Sequence, residues 1–135
     1  MKAVDTNVLA RFFVDDPDDA EAQLQRPAAV RAMSGRVYVP VTVLIELEWV
    51  LRGFYRLARA DVARVLRALA GMENAVVESR DEALAALDAC EHQNIDFADA
   101  LHLARSTRCS AFVTFDRRLV RRLAGSGFGM SIEAP

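Results

Sequence analysis

The chain has 135 residues, of which 53% are hydrophobic and 27% charged, and its formal net charge is −2. This length and apolar content predict one domain over residues 1–135 with a substantial core, and the mild charge excludes a protein that holds nucleic acid through positive charge alone. The longest apolar run, VYVPVTVLI, is shorter than the roughly 20 residues of a membrane helix, and MKAVDTNV lacks an apolar signal core, so we expect a cytoplasmic protein without a membrane partner.

Short apolar runs alternate with helical patterns along the whole chain. Strands are predicted at residues 2–5, 36–40, 75–79, 111–115 and 129–133. Helices are predicted at residues 7–13, 16–25, 42–55, 60–72, 81–93, 96–106 and 117–125. Pro27 lies in the second helical region and predicts a kink or break there. The alternation predicts an α/β fold with a mainly parallel sheet, in which ligands bind at the carboxyl ends of the strands.

Two aspartates directly follow predicted strands. Asp5 ends KAVD, and Asp116 follows AFVTF; each stands before a helical pattern. Each can be the N-cap of its helix, a common position for aspartate, or a ligand at the edge of the sheet. Thr114 and Asp116 alternate onto the same face of the strand, so both side chains are expected to point to the same place.

Two glutamates of the third long helical pattern differ in their surroundings. Glu48 has Arg52 four residues ahead, an ordinary exposed pair worth about 0.3 kcal/mol, and needs no further role. The neighbours of Glu46 on its helix face carry no positive charge. Because an unpartnered carboxylate is costly to bury, Glu46 is either a site residue or a residue at an exposed margin.

Asp96 and Asp99 lie three residues apart in NIDFADALHLA, where like charges on one helix face repel. Both can stand at the start of a helix, where the helix dipole favours negative charge, or both can face a cation. The N-cap interpretation suits Asp96 better than Asp99, which shares its face with His102. We expect His102 to pack or to support other residues rather than to bind a metal.

The acids form a pattern when they are taken together. Asp5 and Asp116 follow strands, and Glu46 and Asp99 lie near the starts of helices, so a parallel sheet would gather all of them at one edge. Clustered carboxylates repel one another unless a cation neutralises them, and hard oxygen ligands suit Mg²⁺ or Mn²⁺. Such a metal can activate water for the hydrolysis of a phosphodiester.

The chain resembles a PIN domain, and specifically a VapC-type toxin ribonuclease. Four segments are similar, in the same order, to those that carry the family's four acids: DTNVL, VYVPVTVLIELEWVL, DFADALHLA and VTFDRRL. The resemblance assigns those roles, catalytic and metal-binding, to Asp5, Glu46, Asp99 and Asp116. It assigns supporting roles to the following residues of the same segments: Thr6, Asn7, Asp96 and Thr114.

The resemblance also implies properties that the residues alone do not show. It implies a PIN-like three-layer sandwich, with about five parallel strands in a sheet flanked by helices. It implies Mg²⁺- or Mn²⁺-dependent cleavage of RNA, a homodimer, and neutralisation by a small cognate antitoxin protein.

Other functions remain open. A haloacid-dehalogenase-like phosphatase needs an acid two residues after its strand-end aspartate, but that position here is Asn7. A receiver-like signalling domain needs a lysine late in the chain, whereas the only lysine is Lys2. A non-catalytic interaction protein would use the same acids as helix caps, and the absence of metal binding would distinguish it.

Overall fold

The fold is described from a computed structural model, which covers residues 1–124 and 128–135. The chain divides into two compact units, residues 1–78 and 79–135, and each is described by itself. The prediction of a single domain over residues 1–135 stays a prediction. Among the described residues, no helix has both the length and the apolar character that crossing a bilayer requires.

The first unit contains a parallel three-stranded sheet in the order β1-β2-β3. The strands are β1 (Lys2–Ala3), β2 (Val37–Val39) and β3 (Ala75–Val77). The central strand, β2, pairs with a strand on each side: Val37 lies opposite Lys2 in β1 and opposite Ala75 in β3. Val37 and Val39 are buried, as expected for a central strand whose β-branched side chains pack on a covered face.

Four α-helices and one π-helical segment surround this sheet. They are α1 (Thr6–Phe13), α2 (Ala20–Met33), α3 (Val41–Trp49), the π segment (Val50–Phe54) and α4 (Arg59–Gly71). α1 packs against α2 and α3, and α4 packs against β3. The largest fully buried side chains of these helices are Leu9, Met33, Leu44, Leu47, Leu51, Leu66 and Leu69.

Two predictions about these helices need correction. A kink or a break was expected at Pro27; the break is wrong, because α2 continues through the proline to Met33, and the kink stays a prediction. Pro27 and Gln23, whose carbonyl loses its helical partner, are both exposed, so the missing hydrogen bond lies on the solvent side of the helix. The single α-helix expected over residues 42–55 changes to π geometry at Val50, where Tyr55 donates to the carbonyl five residues back at 3.1 Å.

The second unit contains three helices and a two-stranded parallel sheet. The elements are α5 (Arg80–Gln93), α6 (Phe97–Ala104), β4 (Ala111–Val113), α7 (Arg117–Arg122) and β5 (Ser131–Glu133). α5 packs against α6, and β4 pairs with β5. Its buried apolar side chains include Leu87, Phe97, Leu101, Leu103, Leu119 and Leu123. Gly125, the predicted end of the last helix, lies outside the described residues.

The predicted α/β class with parallel strands is confirmed. Each of the five predicted strands is present, and each described strand pair is parallel. The strands are grouped as three in the first unit and two in the second.

Candidate active site

Asp5 is placed at the end of a paired strand and at the start of a helix. The preceding residue, Val4, donates its N–H to the carbonyl of Tyr38 at 3.0 Å, so the chain stays beside β2 up to this point. The Asp5 carboxylate then accepts the N–H of Val8 at 3.1 Å through Oδ1 and caps α1. The predicted position after β1 is confirmed, and so is the N-cap interpretation.

A cavity of about 320 Å³ opens beside Asp5 within the first unit. Asp5 and Asn7 line it together with Arg11, and α2 contributes small side chains that leave the space open. Thr6 is buried and Asn7 is exposed, so of the two predicted supporting residues only Asn7 faces this cavity. A carboxylate, an amide and a guanidinium around one cavity can bind polar or charged groups.

Glu46 and Glu48 differ as the sequence predicts, although Glu48 is more buried than expected. Arg52 Nε donates to Glu48 Oε1 at 2.9 Å, which confirms the pair. The expectation that this pair is exposed is wrong, because Glu48 is only 8% exposed on the buried side of α3. Glu46 is exposed on the same helix, two residues earlier. Glu48 is thus part of the scaffold, and Glu46 is the acid with access to solvent.

Asp116 stands at the corresponding place in the second unit. Its Oδ1 accepts the N–H groups of Arg118 and Leu119 at 2.9 and 3.1 Å and caps α7. Its own N–H donates to the hydroxyl of Thr114 at 3.0 Å. The strand ends at Val113, so Thr114 and Asp116 lie in the turn after β4, and a hydrogen bond rather than strand alternation holds them together.

Asp99 lies in the first turn of α6 and is half-buried. Burial raises the pKa of its carboxyl group, and the negative charges of Asp96 and Asp116 raise it further, whereas His102 acts in the opposite direction. Asp99 is therefore close enough to Asp96 and to Asp116 to be repelled by the charge of each. Neutralising a nearby charge with a cation would relieve this repulsion.

All three aspartates predicted as N-caps occupy N-cap positions, but only two of them cap through the side chain. Asp5 and Asp116 cap their helices, while Asp96 occupies the N-cap position of α6 without a side-chain capping hydrogen bond. Both capping carboxylates use Oδ1, and their Oδ2 atoms take no part in the cap. A carboxylate has about four acceptor sites, so capping and binding a cation are compatible.

The carboxylates of the second unit are chemically suited to a hard divalent cation, although they do not form a complete coordination site. Their ligand atoms are all carboxylate oxygens, which Mg²⁺ and Mn²⁺ prefer. Within residues 1–124 and 128–135, no three His, Cys, Asp or Glu side chains are grouped so that they could hold a metal ion. Mg²⁺ commonly keeps several waters and uses only one or two carboxylates, so Asp99 and Asp116 fit such an ion.

One acid at a strand end was missed by the sequence analysis. Glu78 directly follows β3, and its Oε2 accepts the N–H of Val41 at 2.7 Å. This hydrogen bond caps the start of α3, where Pro40, the residue at the N-cap position, makes no side-chain cap. Burial and the neighbouring Glu78 raise the pKa of Tyr38. The signal was present in the sequence AVVES, but the position of an acid after a strand does not reveal which helix its carboxylate meets.

The chain belongs to the PIN domain family, whose family model matches residues 2–125. PIN domains are generally metal-dependent nucleases, so the class of the protein is that of a nuclease that uses divalent metal ions. A comparison with curated proteins finds no match to the sequence. The assignment of the four acids to one site stays a prediction.

Proposed function

We propose that the protein is a metal-dependent endoribonuclease and the toxin of a toxin–antitoxin pair. The observation that carries the proposal is Asp99, a half-buried carboxyl group whose pKa is raised by burial and by the charges of Asp96 and Asp116. In a family of metal-dependent nucleases, mutually repelling acids of this kind are suited to a divalent cation.

The four acids have distinct roles in this proposal. In the second unit Asp99 and Asp116 would hold Mg²⁺ or Mn²⁺, and in the first unit Asp5 and Glu46 are the other two proposed catalytic acids. When bound, the ion supplies an activated water and offsets the charge that develops on the phosphodiester. The family match over residues 2–125 supports the proposal of a single PIN domain.

The remaining predicted residues position these acids. The Thr114 hydroxyl accepts the backbone N–H of Asp116 and orients the turn that carries its carboxylate. The cap on α7 fixes Asp116 Oδ1, so Oδ2 is the oxygen that remains for a cation. Asn7 lines the cavity together with Asp5, Thr6, which stands between them in the sequence, is buried, and Asp96 lies near Asp99.

Partner proteins are proposed from exposed apolar surface on the first unit. Trp49 is 59% exposed and Phe54 is 66% exposed, and they lie on consecutive helical segments. Exposed aromatic side chains are enriched at protein contact sites relative to the rest of a protein surface. We assign this surface to a homodimer contact or to the apolar segment of a small antitoxin.

A second candidate function is a non-catalytic interaction protein, because Asp5 and Asp116 do cap helices. The two functions differ in the products that the protein leaves in a cell. Expression should be induced without an antitoxin, and the new 5′ and 3′ ends of cellular RNA should be sequenced. The proposal expects ends at one or a few defined sites, and these should disappear with Asp99→Asn at equal protein level. Ends that are the same with and without Asp99→Asn would favour the interaction protein.

A further inference from the structure

Phe115 is a large apolar side chain that the fold leaves in solvent. It is 85% exposed, and it stands between Thr114 and Asp116 in the turn after β4. This turn is held at both ends, because Thr114 N–H donates to the Glu133 carbonyl at 2.9 Å and Asp116 N–H donates to the Thr114 hydroxyl at 3.0 Å. The ring is thus presented to solvent by a fixed backbone, next to a proposed metal-binding carboxylate.

Arginine side chains follow Phe115 directly on α7. Arg117, Arg118, Arg121 and Arg122 are all exposed, while Leu119 is buried and attaches the helix to its unit. Arg117 and Arg121 are one turn apart, about 6 Å along the helix, and Arg118 and Arg122 form a second such row.

None of these four cations forms an ion pair with an acid of the described residues. Arg122 donates to the carbonyl of Asn94. Within residues 1–124 and 128–135, Arg117, Arg118 and Arg121 form no ion pair. The exposed surface of α7 therefore carries a concentrated positive charge in a chain whose net charge is −2.

We propose that Phe115 and the arginines of α7 form a binding element for single-stranded RNA, with Phe115 stacking on one base and Arg117, Arg118 and Arg121 contacting the phosphates that follow. An aromatic ring beside a row of cations is the combination that single-strand binding proteins use, because each base has a flat face and each nucleotide has one charge. The proposal adds detail to the proposed ribonuclease function, and it rests on that function for the conclusion that the bound strand is RNA.

The position of Phe115 gives this element a consequence for the cleavage site. Asp116 is the next residue, so a base stacked on Phe115 brings its own phosphodiester beside the proposed metal-binding acids. A base inside a duplex cannot offer its face to the ring, so the element selects unpaired nucleotides. The Val113 side chain is 56% exposed two residues earlier and can extend the apolar contact to the sugar or to a neighbouring base.

The first experiment measures binding without cleavage. A fluorescently labelled short single-stranded RNA is titrated with the protein in chelator, and the anisotropy of the label is followed. Phe115→Ala should weaken binding roughly tenfold or more, the loss expected for one stacked base. Phe115→Trp should bind at least as well as the parent. Leu24→Ala, which removes another exposed apolar side chain from α2, is the control and should bind as the parent does.

A second measurement tests the arginines. The logarithm of the affinity of the parent should fall with the logarithm of the salt concentration, and each lost phosphate contact should make that slope shallower by about 0.7. Arg121→Gln should show this change. Arg31→Gln, at an exposed arginine of α2, removes the same charge from the first unit and should leave the slope unaltered.

The outcomes separate this inference from the proposed function. If Phe115→Ala binds the RNA as tightly as the parent, or if the parent binds none, the inference is overturned. If Phe115→Ala instead changes the oligomeric state and leaves RNA affinity intact, Phe115 is a protein contact and the inference is likewise overturned. If binding depends on Phe115 but the parent cleaves no RNA when Mg²⁺ is added, the inference stands and the ribonuclease function fails.

Discussion

Replacing Asp99 by Asn removes a charge that Asp96 and Asp116 both repel. In chelator the variant should melt at the same temperature as the parent or higher. Repulsion from Asp96, three residues away, lowers the stability of the parent by a few tenths of a kcal/mol. Asp116 brings this loss to about 1 kcal/mol at most, because solvent screens the charge of a half-exposed group. For a chain of this length, about 1 kcal/mol corresponds to a rise of roughly 3–4 °C in the melting temperature.

The raised pKa of Asp99 fixes how this difference depends on pH. The folded protein holds the Asp99 proton more tightly than the unfolded chain does, so the parent loses stability as pH rises from the ordinary aspartate range through the raised pKa. At pH values above the raised pKa the full loss of stability is present, and at pH values below the ordinary aspartate range it is absent. Asp99→Asn should therefore gain on the parent at neutral pH and lose its advantage in acid.

Thermal melts with chelator and with Mg²⁺ complete the test. Mg²⁺ at a hundredfold its dissociation constant should stabilise the parent by about 2.7 kcal/mol, and Asp99→Asn should respond less. Asp18→Asn removes an exposed acid from the first unit and should respond as the parent does. The reasoning is refuted if Asp99→Asn melts several degrees below the parent in chelator, or if Mg²⁺ leaves the parent unchanged.

Three further predictions concern the scaffold, the cap and the assembly. Glu48→Gln should lower the free energy of unfolding by about 1 kcal/mol in chemical denaturation, because it weakens a partly buried charge-assisted hydrogen bond. It should leave RNA cleavage intact, and lost activity at full stability would contradict this. Asp116→Asn should keep the α7 cap and lose activity, while Asp116→Ala should also cost about 1 kcal/mol in a melt; equal activity in the parent and Asp116→Asn would exclude a metal role. Light scattering at micromolar concentration should show a dimer that Trp49→Gln weakens, and a monomeric parent would be evidence against it.

The sequence predicts the elements of this fold well because their signals are local. All five strands were found, since short apolar runs such as AFV and VYV depend only on neighbouring residues. The caps at Asp5 and Asp116 were predictable for the same reason, because an N-cap contacts backbone groups two or three residues ahead.

The features that were missed depend on which side of an element meets solvent. α2 tolerates Pro27 because the lost hydrogen bond lies on its exposed side, and no local rule reveals that side. Glu48 is buried and Phe115 is exposed, the reverse of what their residue types suggest. The change to π geometry at Val50 and the grouping of strands into two sheets arise from packing between distant segments, which spacing along the chain does not record.

We propose that these carboxylates bind a divalent cation with which the protein cleaves RNA. The most direct measurement is the cleavage of a purified RNA by the purified protein, followed over a titration with Mg²⁺ and with Mn²⁺, for the parent, Asp5→Asn, Asp99→Asn and Glu48→Gln. The account predicts internal cleavage by the parent and by Glu48→Gln that requires the metal and stops with chelator, and a strong loss in both aspartate variants, since an amide is a poorer ligand for a hard cation. Cleavage that persists in chelator, or that falls equally in Glu48→Gln and Asp99→Asn, would contradict it.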